Sequence, residues 1–361
     1  MMYLFFAIFL LVYLAICFYI GYNGFVWLRQ SFSFRYKWAY IACIAFLSFS
    51  VFFDRFFSTR VLAYISGIWF LIIGYGLILL PIINLIYFLN KKRGAKILGG
   101  ALVIFFIGVV ISGSYYAWHP VVRTYEISID KQADQKEFNI LMVTDLHLGK
   151  IVGNKHLERL VTISKEMNPD MVVIAGDIID DYIKPYQDEQ MGETLSKIKA
   201  PLGVYATSGN HDYYGDDLDE LHQEMEKAGI IMLSDESVNI EDSFFLVGRN
   251  DLTDKHRKTM KELIGALDKN LPIIMLDHQP NEIDEASKNG VDVLLSGHTH
   301  GGQIAPANII TGLIYENDWG YLKKGDLHSI VSSGYGLWGP PFRIGTQSEV
   351  VQLKIKFKGK E

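Results

Sequence analysis

The spacing of hydrophobic positions changes character near residue 124. Before it stand long apolar runs: 1–20 and 61–89 carry no charge, and 97–118 is a third of the same kind. Each is long enough to cross a hydrocarbon core of about 30 Å, which takes roughly 20 helical residues. A shorter run, 38–53, opens with Trp38 and Tyr40 placed like interfacial anchors and reads as a further span. The pattern predicts a four-helix transmembrane domain over 1–120, with spans near 1–21, 38–53, 61–89 and 97–118. Pro81 is expected to kink the third span rather than end it. The first run lacks a basic leading segment and is too long in its apolar part for a cleaved signal peptide.

From Thr124 the apolar runs shorten. Residues 138–144, 171–175, 203–207, 244–248, 273–276 and 291–295 read as strands. Amphipathic helices alternate with them. Asn154 can cap one that shows Leu157, Leu160, Val161 and Ser164 along one face. Asp216 or Asp217 can open a second that ends at Gly229, and 281–289 is a third, closed by Gly290. The layout over 124–361 is α/β. In the tail, Lys354, Lys356, Lys358 and Lys360 alternate with Ile355 and Phe357, which reads as an edge strand with a charged face.

Charge sharpens this division. Up to Tyr125 there are ten Lys or Arg and one acid, Asp54, whereas the remainder holds 24 Lys or Arg against 39 acids. Arg29, Arg35, Lys37, Lys91, Lys92, Arg93 and Lys96 fall in the two loops that four spans put on one side; Arg55, Arg60 and Arg123 fall on the other. Positive loops stay cytoplasmic, so the large domain is expected outside the plasma membrane. The long spans hold no acid or base, which argues against an ion-conducting path. Cys17 and Cys43 lie in apolar runs and read as packing residues. The acidic domain argues against nucleic acid as a partner.

The chemistry lies in the turns after the strands. Asp145-Leu146-His147 follows 138–144, Gly176-Asp177-Ile178-Ile179-Asp180 follows 171–175, and Gly209-Asn210-His211-Asp212 follows 203–207. His278 follows 273–276, and Gly297-His298-Thr299-His300 follows 291–295. In extended backbone two histidines at i and i+2 point the same way, so the last pair is expected to converge on one site. One such turn is explained by the backbone preferences of Asp, Asn and Gly. Five in succession, holding five of the ten histidines, point to one polar site at the strand carboxyl ends.

This series resembles the calcineurin-like metallophosphoesterase superfamily, and within it the membrane-associated bacterial branch. The resemblance implies a two-sheet α/β sandwich with a dinuclear metal site. It implies that Asp145, His147, Asp177 and His300 hold one ion, and that Asp177, Asn210, His278 and His298 hold the other. His211 would be the catalytic histidine, with Asp212 beside it, and Asp180 would stand behind a ligand and order it. Mixed Asp, Asn and His ligands without cysteine suit Mn, Fe or Zn. The expected reaction is hydrolysis of a phosphate mono- or diester by attack of a metal-bound hydroxide, on a substrate that is lipid-linked or envelope-linked. Two rivals stand beside it: a pyrophosphate hydrolase of UDP-diacylglucosamine type at the cytoplasmic face, and a non-catalytic membrane receptor that keeps the fold. Asn250-Asp251 reads as a turn that could reach the site. The 334–341 loop reads as a substrate mouth, a membrane contact or a simple loop. His119, His156, His222, His256 and His328 read as structural or solvated.

Overall fold

The computed structural model describes residues 2–57, 59–133, 135 and 137–359. Its apolar first third forms α1 (Met2–Phe32), α2 (Lys37–Phe57), α3 (Arg60–Leu89) and α4 (Ala95–Trp118). Each contains a stretch long and apolar enough to cross a membrane. That includes α2, whose stretch Lys37–Asp54 has a mean hydropathy of 1.4 against 2.3 or more in the others. Pro81 lies inside α3, which runs on to Leu89. Helix α1 continues well past the expected end near residue 21, to Phe32, and its polar residues there find partners on α3. Asn84 Nδ2 donates to Asn23 Oδ1 at 2.9 Å, and the Tyr87 hydroxyl donates to Gln30 Oε1 at 3.0 Å.

The chain divides into two compact units, the four helices up to Ser114 together with Gly339–Pro341, and the rest from Tyr115. In the second unit the strands are β1 (Val121–Ala133), β2 (Glu137–Val143), β3 (Met171–Ala175), β4 (Val204–Thr207), β5 (Ile231–Met232) and β6 (Glu236–Ile240). They continue with β7 (Phe244–Gly248), β8 (Ile273–Leu276), β9 (Val293–Ser296), β10 (Gly320–Lys324), β11 (Leu327–Val331) and β12 (Glu349–Gly359). The helices are α5 (Asn154–Met167), α6 (Lys184–Asp188), α7 (Met191–Leu195), α8 (Asn210–Tyr214), α9 (Leu218–Lys227), α10 (Met260–Ile264), α11 (Ile283–Asn289) and α12 (Ala307–Ile314).

The strands form two six-stranded sheets, ordered β1-β12-β2-β3-β4-β5 and β10-β11-β9-β8-β7-β6. They build an α/β sandwich, as expected. Alternation along β2 shows how each layer is filled. Ile140 and Met142 enter the core between the sheets with Leu246, Ile274, Leu276 and Leu295. Leu141 and Val143 face the other way, onto Leu157 and Leu160 of α5 and Leu221 of α9. Val247, Met275 and Leu294 of the second sheet likewise meet Ile264 of α10 and Ile283 of α11. Both faces of the strands are covered, and this is why they read as unbroken apolar runs.

One expectation fails. Strand β12 is not an edge strand: it lies between β1, to which it is parallel, and β2, to which it is antiparallel. Its charged face is as expected, with Lys354 and Lys356 exposed and Ile355 and Phe357 buried. The true edge is β1, and Lys354 reaches to 3.7 Å from Glu126 upon it. Lys360 lies outside the described residues.

Candidate metal centre

Strands β2, β3 and β4 run parallel in one sheet, and β8 and β9 run parallel in the other. The turns at their carboxyl ends meet. Five of the polar residues there have left-handed backbone: Asp145 (φ 52°), His147 (45°), Asp177 (53°), His298 (71°) and His300 (50°). Such positions cost of order 1–3 kcal/mol each and persist where the surroundings over-determine them. Gly176, at φ +87°, could not be replaced without cost, since a Cβ there would lie 2.5 Å from the His278 ring.

The left-handed backbone also corrects the expectation for the histidine pair. His298 and His300 are not in an extended segment, and they enter the two halves of one centre rather than the same trio. His300 joins Asp145 and His147, while His298 joins Asp177 and His278; the ligating atoms within each trio all lie within 4.8 Å of one another. In the first trio His147 Nε2 is 3.1 Å from His300 Nε2, and Asp145 Oδ1 is 3.4 Å from His300 Nε2. In the second, Asp177 Oδ2 is 3.1 Å from His278 Nε2, and Asn210 Oδ1 is 2.8 Å from His298 Nδ1. Asp177 Oδ2 also stands 3.7 Å from His147 Nε2, so this carboxylate lies between the two groups.

These atoms fit a cation. Nδ1 of His278 donates to the Ala175 carbonyl at 2.8 Å, which leaves the lone pair on Nε2. That nitrogen is buried and makes no hydrogen bond among the described residues, though two carboxylates lie 3.1 and 4.0 Å away. Metal bonds of about 2.0–2.2 Å at near-tetrahedral angles hold ligand atoms roughly 3.3–3.6 Å apart, and the spacings here, from 2.8 to 3.7 Å, bracket that range. Burial disfavours a charged His278, yet Asp177 and Asp145 overcome it and draw its pKa well above the ordinary value. Burial likewise raises Asp145, whereas at Asp177 the burial effect is outweighed by His278 and His147 and the carboxyl is held well below its usual range.

His211 stands beside the centre with its side chain about 12% exposed. Its backbone N–H donates to Asp177 Oδ1 at 2.8 Å. Its ring packs against His147, Tyr214 and Trp338, with centroids 4.7, 5.0 and 6.3 Å away. The acid that touches it is Asp181, whose Oδ1 is 2.6 Å from His211 Nδ1. Asp212, expected to act with His211, is turned away. Its buried carboxylate accepts backbone N–H bonds from Ile178 (2.9 Å), Ile179 (3.0 Å) and Gly209 (2.8 Å), tying the turn after β3 to the turn after β4. Burial, with Asp177 nearby, pushes its pKa up to about 7. Asp180 stands behind His147, with Oδ1 3.5 Å from Nδ1.

Several supporting residues carry no signal of their own in the sequence. Arg249 and Arg257 bind Asp277, at 3.0 and 3.3 Å, and fix the end of β8 just before His278. Asp251 accepts both of its 2.9 Å contacts from Gln279, so Asn250-Asp251 is a turn that braces the same strand end. Arg343 is fully buried, donates to the Gly334 and Gly336 carbonyls at 3.0 and 2.8 Å, and lies 3.3 Å from His300 Nδ1. In the 334–341 loop Tyr335 and Leu337 belong to the core, and Trp338 is the exposed residue beside His211. His156 is structural: buried, stacked on Tyr335 at 4.3 Å, with Nε2 donating to the Tyr335 carbonyl.

Residues 138–302 match the family model described as calcineurin-like phosphoesterase. A zebrafish (Danio rerio) protein described as a transmembrane protein with metallophosphoesterase domain is 31% identical over 71% of this chain and 62% of its own length. A metallophosphoesterase of Aquifex aeolicus is 34% identical over 66% of this chain and 92% of its own length. A cattle (Bos taurus) protein described like the zebrafish one is 27% identical over 66% of this chain and 57% of its own length.

Proposed function

The chain belongs to the calcineurin-like metallophosphoesterases, metal-dependent phosphoester hydrolases, and from that premise we propose a dinuclear centre bridged by Asp177. Asp145, His147, Asp177 and His300 would hold one divalent ion; Asp177, Asn210, His278 and His298 would hold the other. The observation that carries this reading is the Asp177 carboxylate, 3.1 Å from a nitrogen of one group and 3.7 Å from a nitrogen of the other. When bound, such ions supply an activated water at neutral pH and offset the charge of a phosphoryl group.

The protein's own part is positioning and proton transfer. His211 donates Nδ1–H to Asp181, so its imidazolium form carries the second proton on Nε2, from which it passes to the leaving oxygen and leaves the neutral ring. Asp181 faces the imidazolium that precedes this transfer and stabilises it. The backbone tie from His211 to Asp177 keeps the proton donor in register with the bridging ligand. Asp180 orders His147, and Asp212 holds the two turns together. We place the domain outside the plasma membrane, on the strength of the seven basic residues in the loops assigned to the other side. The substrate that fits this setting is a phosphate mono- or diester on a lipid or envelope molecule. A panel of soluble and lipid-borne mono- and diesters, assayed with the full-length protein under Mn, Fe and Zn in turn, tests it. Turnover of at least one class, abolished by chelation, is expected; no turnover under any metal refutes the reading.

A further inference from the structure

Residues 301–315 contain no charged side chain, and they hold α12. This helix buries none of its residues. Its outward side chains are Ile309 (61% exposed), Ile310 (60%), Leu313 (83%) and Ile314 (67%). The half-buried side carries Ala307 and Thr311, continued by Tyr315, at four-residue spacing. An ordinary surface helix does the reverse, with its apolar stripe inward. A contiguous exposed patch of this kind marks a contact with a partner or a membrane.

Two further observations decide what covers it. The chain leaves α4 at Trp118 and enters β1 at Val121. The guanidinium of Arg123 in β1 lies 4.8 Å over the ring of Trp319, just past the end of α12. The α12–β10 segment therefore belongs to the part of the domain that directly follows a helix apolar enough to cross a membrane. Trp319 and Tyr321 of that segment are exposed, and these residue types settle at bilayer interfaces. The segment also borders the metal centre: the Thr299 hydroxyl, between His298 and His300, donates to the Asp318 carbonyl, and the Tyr315 ring is 6.1 Å from that of His298. A second copy is a poorer occupant. A helix of eight residues is about 12 Å long and ~10 Å wide, far short of the roughly 800 Å² per partner of a stable interface.

We propose that α12 is an interfacial lipid-contact helix, seating its Ile309–Ile314 face in the surface of a bilayer. The docking stands apart from the hydrolytic reading. Its consequence, that the centre acts on phosphoesters carried in that bilayer, rests on it. The test uses the full chain in nanodiscs of phosphatidylethanolamine and phosphatidylglycerol, with Cys17→Ala, Cys43→Ala and Leu313→Cys, spin-labelled at 313. Collisions with oxygen should exceed collisions with a water-soluble nickel chelate several-fold at 313, and a label at exposed Lys184 should give the opposite. A label at 313 that behaves like the one at 184 overturns the proposal, as does spin–spin broadening from a second copy. A second test keeps the native cysteines. Ile310→Ser with Leu313→Ser should lower turnover of a vesicle-borne aryl phosphoester about ten-fold and leave a soluble one unchanged. Equal effects on both overturn it.

Discussion

Replacing Asp181 by asparagine separates the proton-transfer apparatus from the metal ligands. The 2.6 Å contact from Asp181 to His211 Nδ1 is a short, charge-assisted hydrogen bond. Bonds to charged groups contribute about 1.5–3 kcal/mol. The Asp181 side chain is 36% exposed, so solvent screening puts the loss at the lower end, about 1.5 kcal/mol. Asparagine keeps an acceptor oxygen at the same place, so the charge is lost and the geometry stays. At about 1.4 kcal/mol per decade the expected cost is roughly ten-fold in kcat. The assay is steady-state hydrolysis of a soluble aryl phosphoester at saturating metal, with metal content measured on the same sample. Loss of kcat with KM and metal content unchanged is the expected split. Unchanged kcat, or loss of metal, refutes the role given to Asp181. Asp212→Asn should behave otherwise: its amide would face backbone N–H donors, and the melting temperature should drop because buried amides left unpaired cost about 1–3 kcal/mol.

His211→Ala should lose about 10²–10⁴-fold in turnover while its metal content stays that of the parent, whereas Asp177→Ala should lose both; elemental analysis beside kinetics separates them. Gly176→Ala should weaken metal binding sharply, read by metal titration, because the backbone is left-handed and the new Cβ presses on the His278 ring at 2.5 Å. Burial holds His156 down at about 4 from an ordinary 6.5. The unfolded chain therefore takes up this proton first, and the stability tied to a neutral His156 is intact above about pH 6.5 and lost as pH falls to about 4. The loss is at most about 3.5 kcal/mol at ~1.4 kcal/mol per pH unit. Thermal unfolding of the solubilised protein between those pH values should show it, and His156→Phe should flatten the slope.

Strands whose neighbours lie close in sequence were the legible part of the fold. β2, β3, β4, β7, β8 and β9 are buried on both faces and announce themselves as apolar runs. β1 alternates Ile127 and Ile129 with Glu126, Ser128 and Asp130, a weaker signal directly after a membrane-length run. The insertion of β12 between β1 and β2 joins ends of the domain more than 200 residues apart, and no local pattern encodes it. In the site, turn chemistry made the polar residues visible, but adjacency alone does not identify the acid that touches His211. Asp212 follows it on a short helical turn and points back to the Gly209 amide, while Asp181 arrives from the turn after β3. Side-chain direction in such turns depends on φ, and the left-handed values at His298 and His300 send the pair to the two halves of the centre rather than side by side. α12 escaped notice because its apolar stripe faces outward, so it pairs with nothing a core pattern would require.

The bridging of two ions by Asp177 is tested most directly by manganese titration of the metal-stripped full-length protein, followed by electron paramagnetic resonance. Binding should saturate near two ions per chain with an exchange-coupled spectrum, and Asp177→Ala should abolish the coupling. Saturation near one ion, with the six-line spectrum of isolated Mn, would contradict the account.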